Sequence, residues 1–415
     1  MTKLPIWVRC TAIVLAVVGG CEMADYFAAA EDAKEKPPYA NDPAITKQLE
    51  VLGDNSSLLL PPLKVVGLKG SGYEKNDWLA RGPFSRSYCN KLAYAPERHT
   101  AFYCGQDHNL PHYNDCWELH LGSNTWYCLT PPDGGDALQV WYKVPAAIGS
   151  KDNQPTEKDT AKRAKIKEET AKYLRDNVIF ENGYLQTKKN GGPVMAWHTW
   201  DGLTYDPQTR KMLWAALDSD EVMSGMYLNF YCRILDKDFA KEKIKLKPGM
   251  GMWFFDPRTK RWSRNLVDGP RPRMRGMGGS LQYVPDLKKS IWYVAAYNVA
   301  GGDVAMWTYD SVANQWQDLK PNGGKLAETV AAKQAPREEL QVVYSPKHKK
   351  LFAIDQKGLY AYDLAKNEWS RIADDPFPCA HDAHTVFVYD SANDVLLLLA
   401  PEPGKLWAYA IESGK

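Results

Sequence analysis

Short runs of alternating apolar and polar residues recur along the chain, and one of them is a repeat. It reads aromatic, any residue, aromatic or Leu, usually Asp, then five residues and a Trp. Its copies are Trp117–His120 with Trp126, Trp253–Asp256 with Trp262, Trp307–Asp310 with Trp316, and Tyr360–Asp363 with Trp369. Residues two apart share one face of a strand, and Asp or Asn favours a tight turn. Each copy therefore predicts a β-hairpin whose second strand begins with a packed Trp.

A second hairpin unit precedes each copy of the first. It is a Tyr-x-Pro or Tyr-x-Ser turn followed by an apolar run, and its members begin at Tyr94, Tyr205, Tyr283, Tyr344 and Tyr389. Two hairpins form a four-stranded antiparallel sheet, and successive copies are about 50 residues apart, which is the period of propeller blades. The pattern predicts an all-β fold, namely a β-propeller of five to six four-stranded antiparallel blades with a helical surface insert.

These turns carry a family resemblance. The Tyr205-Asp206-Pro207 turn and the Asn-x-Trp turns, such as that of Asn314 and Trp316, resemble kelch repeats of the galactose oxidase and kelch superfamily. The resemblance covers roughly residues 73 to 415 and implies a β-propeller. The Gly-Gly doublet of kelch blades is missing from most copies, and Gly301-Gly302 is a candidate remnant. Copper-radical oxidases of this superfamily use a Tyr-His dipeptide, which this sequence lacks, so neither oxidase activity nor a cofactor is expected.

The last copy predicts how the ring closes. Trp407-Ala408-Tyr409-Ala410 begins a turn that no Trp follows in this sequence, so an N-terminal segment is expected to supply the outer strand. The candidates are Asn76-Asp77-Trp78 and Ser57–Val66. Inserts at about residues 133–192 and 217–251 lengthen two connections, and the first contains a predicted surface helix over Thr156–Asn177. A sixth blade within about residues 130–197 is the alternative.

The N-terminus has the features of an export signal. Lys3 and Arg9 precede the uncharged residues 10–20, which are too few to span a bilayer. Val18-Gly19-Gly20-Cys21 resembles a lipoprotein signal in which Cys21 is lipidated, and an ordinary peptidase site at Ala28-Ala29-Ala30 is the alternative. We therefore expect an export signal over residues 1–21, a linker over 22–56 and a single propeller domain over 57–415. The protein would be periplasmic, lipid-anchored at the cell surface, or secreted.

The composition limits the classes of partner that the chain can bind and indicates the redox state of its cysteines. The chain has 52 Lys and Arg against 50 Asp and Glu, so it lacks the positive excess that nucleic acid binding requires. Two of its eight cysteines lie within residues 1–21, and the rest would meet oxidising conditions after export. Four of these are disulfide candidates in one region, with connectivity left open: Cys89, Cys104, Cys116 and Cys128. Cys232 and Cys379 are either paired or buried free thiols.

Candidate binding residues follow from the repeat alignment, because the first strand of each blade lines the central channel of a propeller. Residues just before the first-hairpin tyrosines should meet at one channel mouth: Arg86, His198, Arg275, Arg337, Glu339, His381 and His384. Arginine donors there suit a carboxylate, a sulfate or sugar hydroxyls. The alternative is that these residues satisfy one another around a water-filled channel. A metal site is not predicted, since His-x-x-His on a strand points to opposite faces.

The sequence thus favours an extracytoplasmic binding or interaction scaffold for carbohydrate or protein, attached to a membrane only through a lipid anchor if at all. One alternative is a hydrolase or lyase acting on an acidic sugar, with His198 or His384 as the base. Another is a purely structural cell-surface protein. Many Trp and Tyr residues occupy repeat positions, so we expect those residues to pack the blades rather than contact a ligand.

Overall fold

The computed structural model describes the chain in a series of segments: residues 38–76, 79–83, 86, 89, 91–105, 113–133, 157–181, 184–194, 199, 201–215, 228–243, 251–266, 269–270, 272, 280–294, 305–318, 341–355, 358–363, 365–366, 368–379, 385–400 and 404–412. The chain divides into a unit of Met1–Tyr39 and a unit of Ala40–Lys415. All helices and strands described below belong to the second unit.

Five antiparallel sheets form the blades. The N-terminal segment supplies β1 (Ser57–Leu59) and β2 (Lys64–Val66). Blade 1 contains β3 (Ala93–Ala95), β4 (Thr100–Cys104), β5 (Cys116–His120) and β6 (Thr125–Thr130). A separate hairpin is formed by β7 (Val178–Glu181) and β8 (Tyr184–Thr187). Blade 2 contains β9 (Leu203–Asp206), β10 (Lys211–Trp214), β11 (Gly251–Asp256) and β12 (Arg261–Leu266).

Blade 3 contains β13 (Ser280–Val284), β14 (Lys289–Val294), β15 (Ala305–Asp310) and β16 (Gln315–Asp318). Blade 4 contains β17 (Gln341–Ser345), β18 (Lys350–Asp355), β19 (Gly358–Asp363) and β20 (Glu368–Ala373). Blade 5 contains β21 (Val386–Asp390), β22 (Val395–Leu399) and β23 (Leu406–Ala410), with β1 as its outer strand. The first strands contact one another in the cyclic order β3, β9, β13, β17, β21 and back to β3. This arrangement confirms the predicted propeller, with five blades.

The N-terminal segment closes the ring across the seam between blades 5 and 1. Strand β1 pairs antiparallel with β23, with Ser57 opposite Tyr409, and β2 then pairs parallel with β6, with Val65 opposite Trp126. The expectation that an N-terminal segment completes the last blade is confirmed: of the two candidates, Ser57–Val66 supplies the strand, through Ser57–Leu59, whereas Asp77 and Trp78 of the other candidate lie outside the described residues. Helix α1 (Pro43–Glu50), within the expected linker, adds Ile45 and Leu49 to the core of the same seam.

The hairpin turns explain the Asn two residues before the repeat Trp. Asn124 and Asn314 adopt the left-handed backbone conformation, with φ of 52° and 53°, which Asn tolerates better than most residues. The chain then reverses, and the following Trp packs on the preceding strand. The ring centroids of Tyr309 and Trp316 lie 4.8 Å apart, and Trp316 is buried. The predicted packing role of this repeat position is confirmed there.

The two inserts pack together as an accessory lobe. Helix α2 (Glu157–Asn177) confirms the helix predicted from the first insert, and the second insert contributes a helix at residues 228–234 and another at Phe239–Lys243. Their buried side chains share one core, which includes Leu174, Leu228 and Tyr231. Within the described residues of 157–194, α2 and the β7–β8 hairpin take the place of the alternative sixth blade.

Replacing Leu60 with Ala tests the closure of the ring. Leu60 is 3% exposed, its N–H donates to the Leu406 carbonyl, and its side chain lies in the core between blades 5 and 1. We expect Leu60→Ala to lower the free energy of unfolding by about 2–5 kcal/mol in urea denaturation. The matched control is Leu59→Ala, since Leu59 is 42% exposed, and it should change stability by less than about 0.5 kcal/mol. Equal effects of the two variants would contradict this account of closure.

Candidate ligand-binding site

Arg86 is the one predicted mouth residue within the described part of the chain. It is buried, and its Nη2 and Nη1 atoms lie 2.6 Å and 3.2 Å from the two carboxylate oxygens of Asp115. It also donates to the Gly105 carbonyl, and its guanidinium carbon lies 5.7 Å from the ring centroid of Tyr103. For Arg86, this geometry matches the alternative in which such residues satisfy one another.

The other predicted mouth residues lie outside the described residues: His198, Arg275, Arg337, Glu339, His381 and His384. Their meeting at one channel mouth therefore stays a prediction. Within the described segments, no group of three or more His, Cys, Asp or Glu side chains could hold a metal ion. Cys21 likewise lies outside the described residues, so its lipidation also stays a prediction.

The disulfide candidates all lie in or beside blade 1, and the structure holds them as free thiols. Cys104 and Cys116 are direct strand partners in the core between blades 1 and 2, whereas Cys89 and Cys128 lie in the core between blades 5 and 1. Burial raises the pKa of Cys104 and Cys116 well above the ordinary range. The four cysteines thus share one region, as expected, and disulfide formation stays a prediction.

A buried ion pair crosses the central channel. The Lys91 ammonium donates to the carbonyls of Leu281 and Val342, at 2.7 Å and 2.6 Å, and lies 3.4 Å from Asp201 Oδ2. Asp201 also accepts from the Val342 N–H at 2.9 Å and from the Ser280 hydroxyl. Burial lowers the pKa of Lys91 and raises that of Asp201, while the attraction between the two charges opposes both shifts.

A cavity lies in the channel, with Lys91 and Leu92 among its lining residues, and it contains about 560 Å³ of empty space, part of it open to solvent. Each blade contributes the tyrosine of its first hairpin to the wall: Tyr94, Tyr205, Tyr283, Tyr344 and Tyr389. Four of these tyrosines are at least nine-tenths buried, and Tyr94 is half-buried. The cavity therefore lies where the first strands end, at the turns, rather than where they begin, which is where the mouth residues were predicted. From here on, the mouth means this tyrosine-lined end of the channel.

Carboxylates hold most of the tyrosine hydroxyls in place. Across blade boundaries, the Tyr205 hydroxyl donates to Glu97, and the Tyr344 hydroxyl donates to Asp286 Oδ2 at 3.2 Å. Burial, together with Asp286, raises the pKa of Tyr344 to about 12. A phenol that donates its only proton to an acid still has lone pairs, so these pairs present hydrogen-bond acceptors to a ligand.

The remaining two pairs involve blade 5. The Tyr94 hydroxyl lies 3.1 Å from the Ser391 hydroxyl and 3.4 Å from Asp390 Oδ1, which joins blade 1 to blade 5. The Tyr389 hydroxyl donates to Asp394 Oδ1 within its own turn at 2.7 Å. Asp390 is also 3.1 Å from His99 Nε2. The mouth is therefore a ring of phenols and acids that lock neighbouring turns.

Sequence reasoning missed this site because it assigned the repeat tyrosines to packing alone. They do pack, since Tyr205 stacks on Phe102 of blade 1 at 5.7 Å between ring centroids, yet they also line the cavity. A signal for the ion pair was present, because Lys91 and Asp201 put charges three and four residues before the repeat tyrosine. The corresponding residues of blade 5, Thr385 and Val386, are uncharged.

Comparisons with known proteins add little to the geometry. No protein-family model matches the chain, and no curated protein matches it. Two similar solved structures are the extracellular domain of a hybrid two-component system of B. thetaiotaomicron, at 11% identity and a TM-score of 0.23, and that of a one-component system of the same organism, at 13% and 0.22. Each match covers 40% of this chain, which spans only 19% of either matched chain. Likeness at this level carries no functional argument.

A double-mutant cycle tests the ion pair between Lys91 and Asp201. Lys91→Met leaves the Asp201 carboxylate buried without its cation and should lower the free energy of unfolding by about 3–5 kcal/mol. Lys91→Met combined with Asp201→Asn should cost clearly less than the sum of the single variants, because the second change removes the uncompensated charge. Urea denaturation of the four proteins provides the measurement. Strict additivity of the two losses would show that the charges do not stabilise one another.

Proposed function

We propose that the protein is an exported binding scaffold that holds its ligand in the tyrosine-lined mouth of the propeller channel. The observation that carries this proposal is the cavity of about 560 Å³, to which all five blades contribute an equivalent tyrosine. Aromatic walls with a few placed polar groups are typical of small-molecule sites. The scaffold is rigid there, since tyrosine–carboxylate bonds link neighbouring turns.

Binding suits these residues better than catalysis does. The Lys91 ammonium already donates to two carbonyls beside its carboxylate partner, so it has little capacity left for a substrate. Burial raises the pKa of Tyr344 and Tyr283 to about 12, which is too high for proton transfer near neutral pH. The hydrolase or lyase alternative rests on His198 and His384, outside the described residues, and no described contact favours it.

Carbohydrate is the ligand class that the cavity favours over protein. A concave site encloses a sugar unit or a single protruding side chain, whereas protein interfaces are broader surfaces of about 800 Å² for each partner. Sugar hydroxyls both donate and accept, so they can bond to the acceptors that the tyrosine–acid pairs present. A kelch-type relationship is part of this proposal and is supported by the Tyr-x-Pro and Asn-x-Trp turns.

Export is proposed from the N-terminal residues, with residues 57–415 as a single propeller domain. Residues 10–20 have the length of a signal-peptide core, and Cys21 follows a lipoprotein-like Val-Gly-Gly. Among the described residues, no helix has both the length and the apolar character needed to cross a membrane. The proposal includes membrane attachment through Cys21 and keeps free secretion after Ala30 as its alternative.

Blocking the mouth tests the proposed site. Pro285 lines the cavity and is exposed, so Pro285→Trp should fill the entrance without disturbing the core. We expect at least a tenfold loss of affinity for any sugar or peptide that the wild-type protein binds in a glycan and peptide screen. Leu287→Trp, in the same turn but away from the cavity lining, is the matched control and should bind within twofold of wild type. Unchanged affinity in Pro285→Trp would place the ligand elsewhere and overturn the proposal.

Mass spectrometry of the mature N-terminus tests the proposed anchor. The wild-type chain, expressed in a bacterium that processes lipoproteins, should begin at a diacylated Cys21 and sediment with membranes. Cys21→Ala should abolish the lipid mass and the membrane association, because one thioether-linked group provides the attachment. A wild-type N-terminus at Glu31 would instead establish free secretion.

A further inference from the structure

One tyrosine departs from the ring of five. Tyr283 lines the cavity and is 7% exposed, and its hydroxyl makes no hydrogen bond to any residue that the structure describes. Tyr94, Tyr205 and Tyr344 bond to an acid or a hydroxyl of a neighbouring turn, and Tyr389 bonds to Asp394 of its own turn. A tyrosine hydroxyl in the protein interior normally has a partner, so a hydroxyl at the cavity wall that no described residue bonds points to a partner from outside the chain.

The sequence explains why Tyr283 is the exception. Tyr205 and Tyr344 bond to the residue three positions after the tyrosine of the preceding blade, which is Glu97 for the first and Asp286 for the second. The corresponding residue for Tyr283 is Gln208, whose amide nitrogen donates instead to the Lys288 carbonyl at 2.7 Å. Asp206, the nearest acid in that turn, already accepts from the Gln208 N–H and from the hydroxyls of Thr209 and Ser311.

We propose that Tyr283 is the anchoring residue of the mouth and that its hydroxyl donates to an uncharged oxygen of a neutral carbohydrate. This inference rests on the proposed function and names the ligand class and the residue that recognises it. The hydroxyl oxygens of the other ring tyrosines would accept from sugar hydroxyls, and the tyrosine rings would cover the apolar face of the sugar. A single phenol donor among several acceptors fits a ligand with many hydroxyls.

Local charge excludes an anionic ligand at this position. Burial, together with the carboxylates of Asp206 and Asp310, raises the pKa of Tyr283 to about 12, so the phenol is an uncharged donor at neutral pH. The same carboxylates would repel an anion bound to its hydroxyl. Lys289 lies 3.8 Å from Asp310 and offsets only that one charge. The mouth therefore differs from the basic funnel expected around Arg275 and Arg337, which would hold a carboxylate or sulfate.

The test removes the hydroxyl while keeping the ring. Glucose, galactose, mannose and N-acetylglucosamine serve as neutral probes, glucuronate serves as the anionic counterpart, and affinities are measured by calorimetry or ligand-observed NMR. At least one neutral sugar should bind the wild-type protein, and Tyr283→Phe should weaken it about three- to tenfold, the value of one hydrogen bond. Tyr409→Phe is the matched control, because Tyr409 is not among the lining residues of the cavity and its hydroxyl donates to Asn55 Oδ1, and it should stay within twofold.

A second pair of variants tests the mechanism without touching the tyrosine. Gln208→Glu replaces the amide that donates to the Lys288 carbonyl with a carboxylate, the group by which Glu97 and Asp286 hold their tyrosines, so it should occupy the Tyr283 hydroxyl and weaken sugar binding at least as much as Tyr283→Phe does. Gln208→Ala removes the bond to Lys288 without supplying an acceptor and should bind sugar as the wild type does. Thermal melting of each variant shows whether the fold is retained.

Several results would overturn the inference. Equal affinity in Tyr283→Phe and wild type would remove Tyr283 from the site, and binding of glucuronate alone would contradict the neutral ligand. Binding of a peptide but no sugar, with loss in Pro285→Trp, would overturn the carbohydrate assignment and leave the proposed function intact. Absence of any ligand sensitive to Pro285→Trp would overturn both.

Discussion

The arrangement of the blades around the ring depends on the contacts of the Lys91 ammonium group. Lys91 precedes the first strand of blade 1. The three groups closest to its ammonium belong to blades 2, 3 and 4, and they are Asp201, Leu281 and Val342. Its backbone also forms a parallel bridge with Phe387 of blade 5. Because removing a buried cation from its acceptors is costly, this side chain ties blade 1 to blades 2, 3 and 4.

Lys91 and its partners form the base of the cavity, and the repeat tyrosines form its wall. Because every first strand ends in the same tyrosine turn, five phenols line the same cavity, and Tyr205 also packs in the core between blades 1 and 2. The bonds from Tyr205 to Glu97 and from Tyr344 to Asp286 then couple neighbouring turns. The residues that hold the blades together are consequently the residues that a ligand in the mouth would meet.

Local patterns predicted the fold well because each hairpin is encoded within a few residues. The repeat predicted the blades, the unpaired turn at Trp407 predicted closure by an N-terminal segment with Ser57–Val66 as one of two candidates, and the Lys- and Glu-rich run predicted α2. Lys91 and Asp201 were missed because their partnership spans 110 residues and exists only once the ring has closed. Likewise, the sequence alone suggests a packing role for the repeated tyrosines, and only the closed ring shows that the same side chains line a cavity.

In a ring of blades built from the same repeat, ligand specificity must come from positions at which the blades differ in sequence. Packing requires the tyrosine in every blade, but the residue three positions later varies freely: Glu97, Gln208, Asp286, Lys347 and Ala392. An acid there binds the next tyrosine, as Glu97 and Asp286 do, whereas Gln208 binds the Lys288 carbonyl, and no described residue bonds to the Tyr283 hydroxyl. Among the described contacts, four phenols are held by the protein and one is not, so the ring of tyrosines is asymmetric at Tyr283. Under our proposal, this glutamine, which lies outside every strand, gives a repetitive scaffold an asymmetric ligand site.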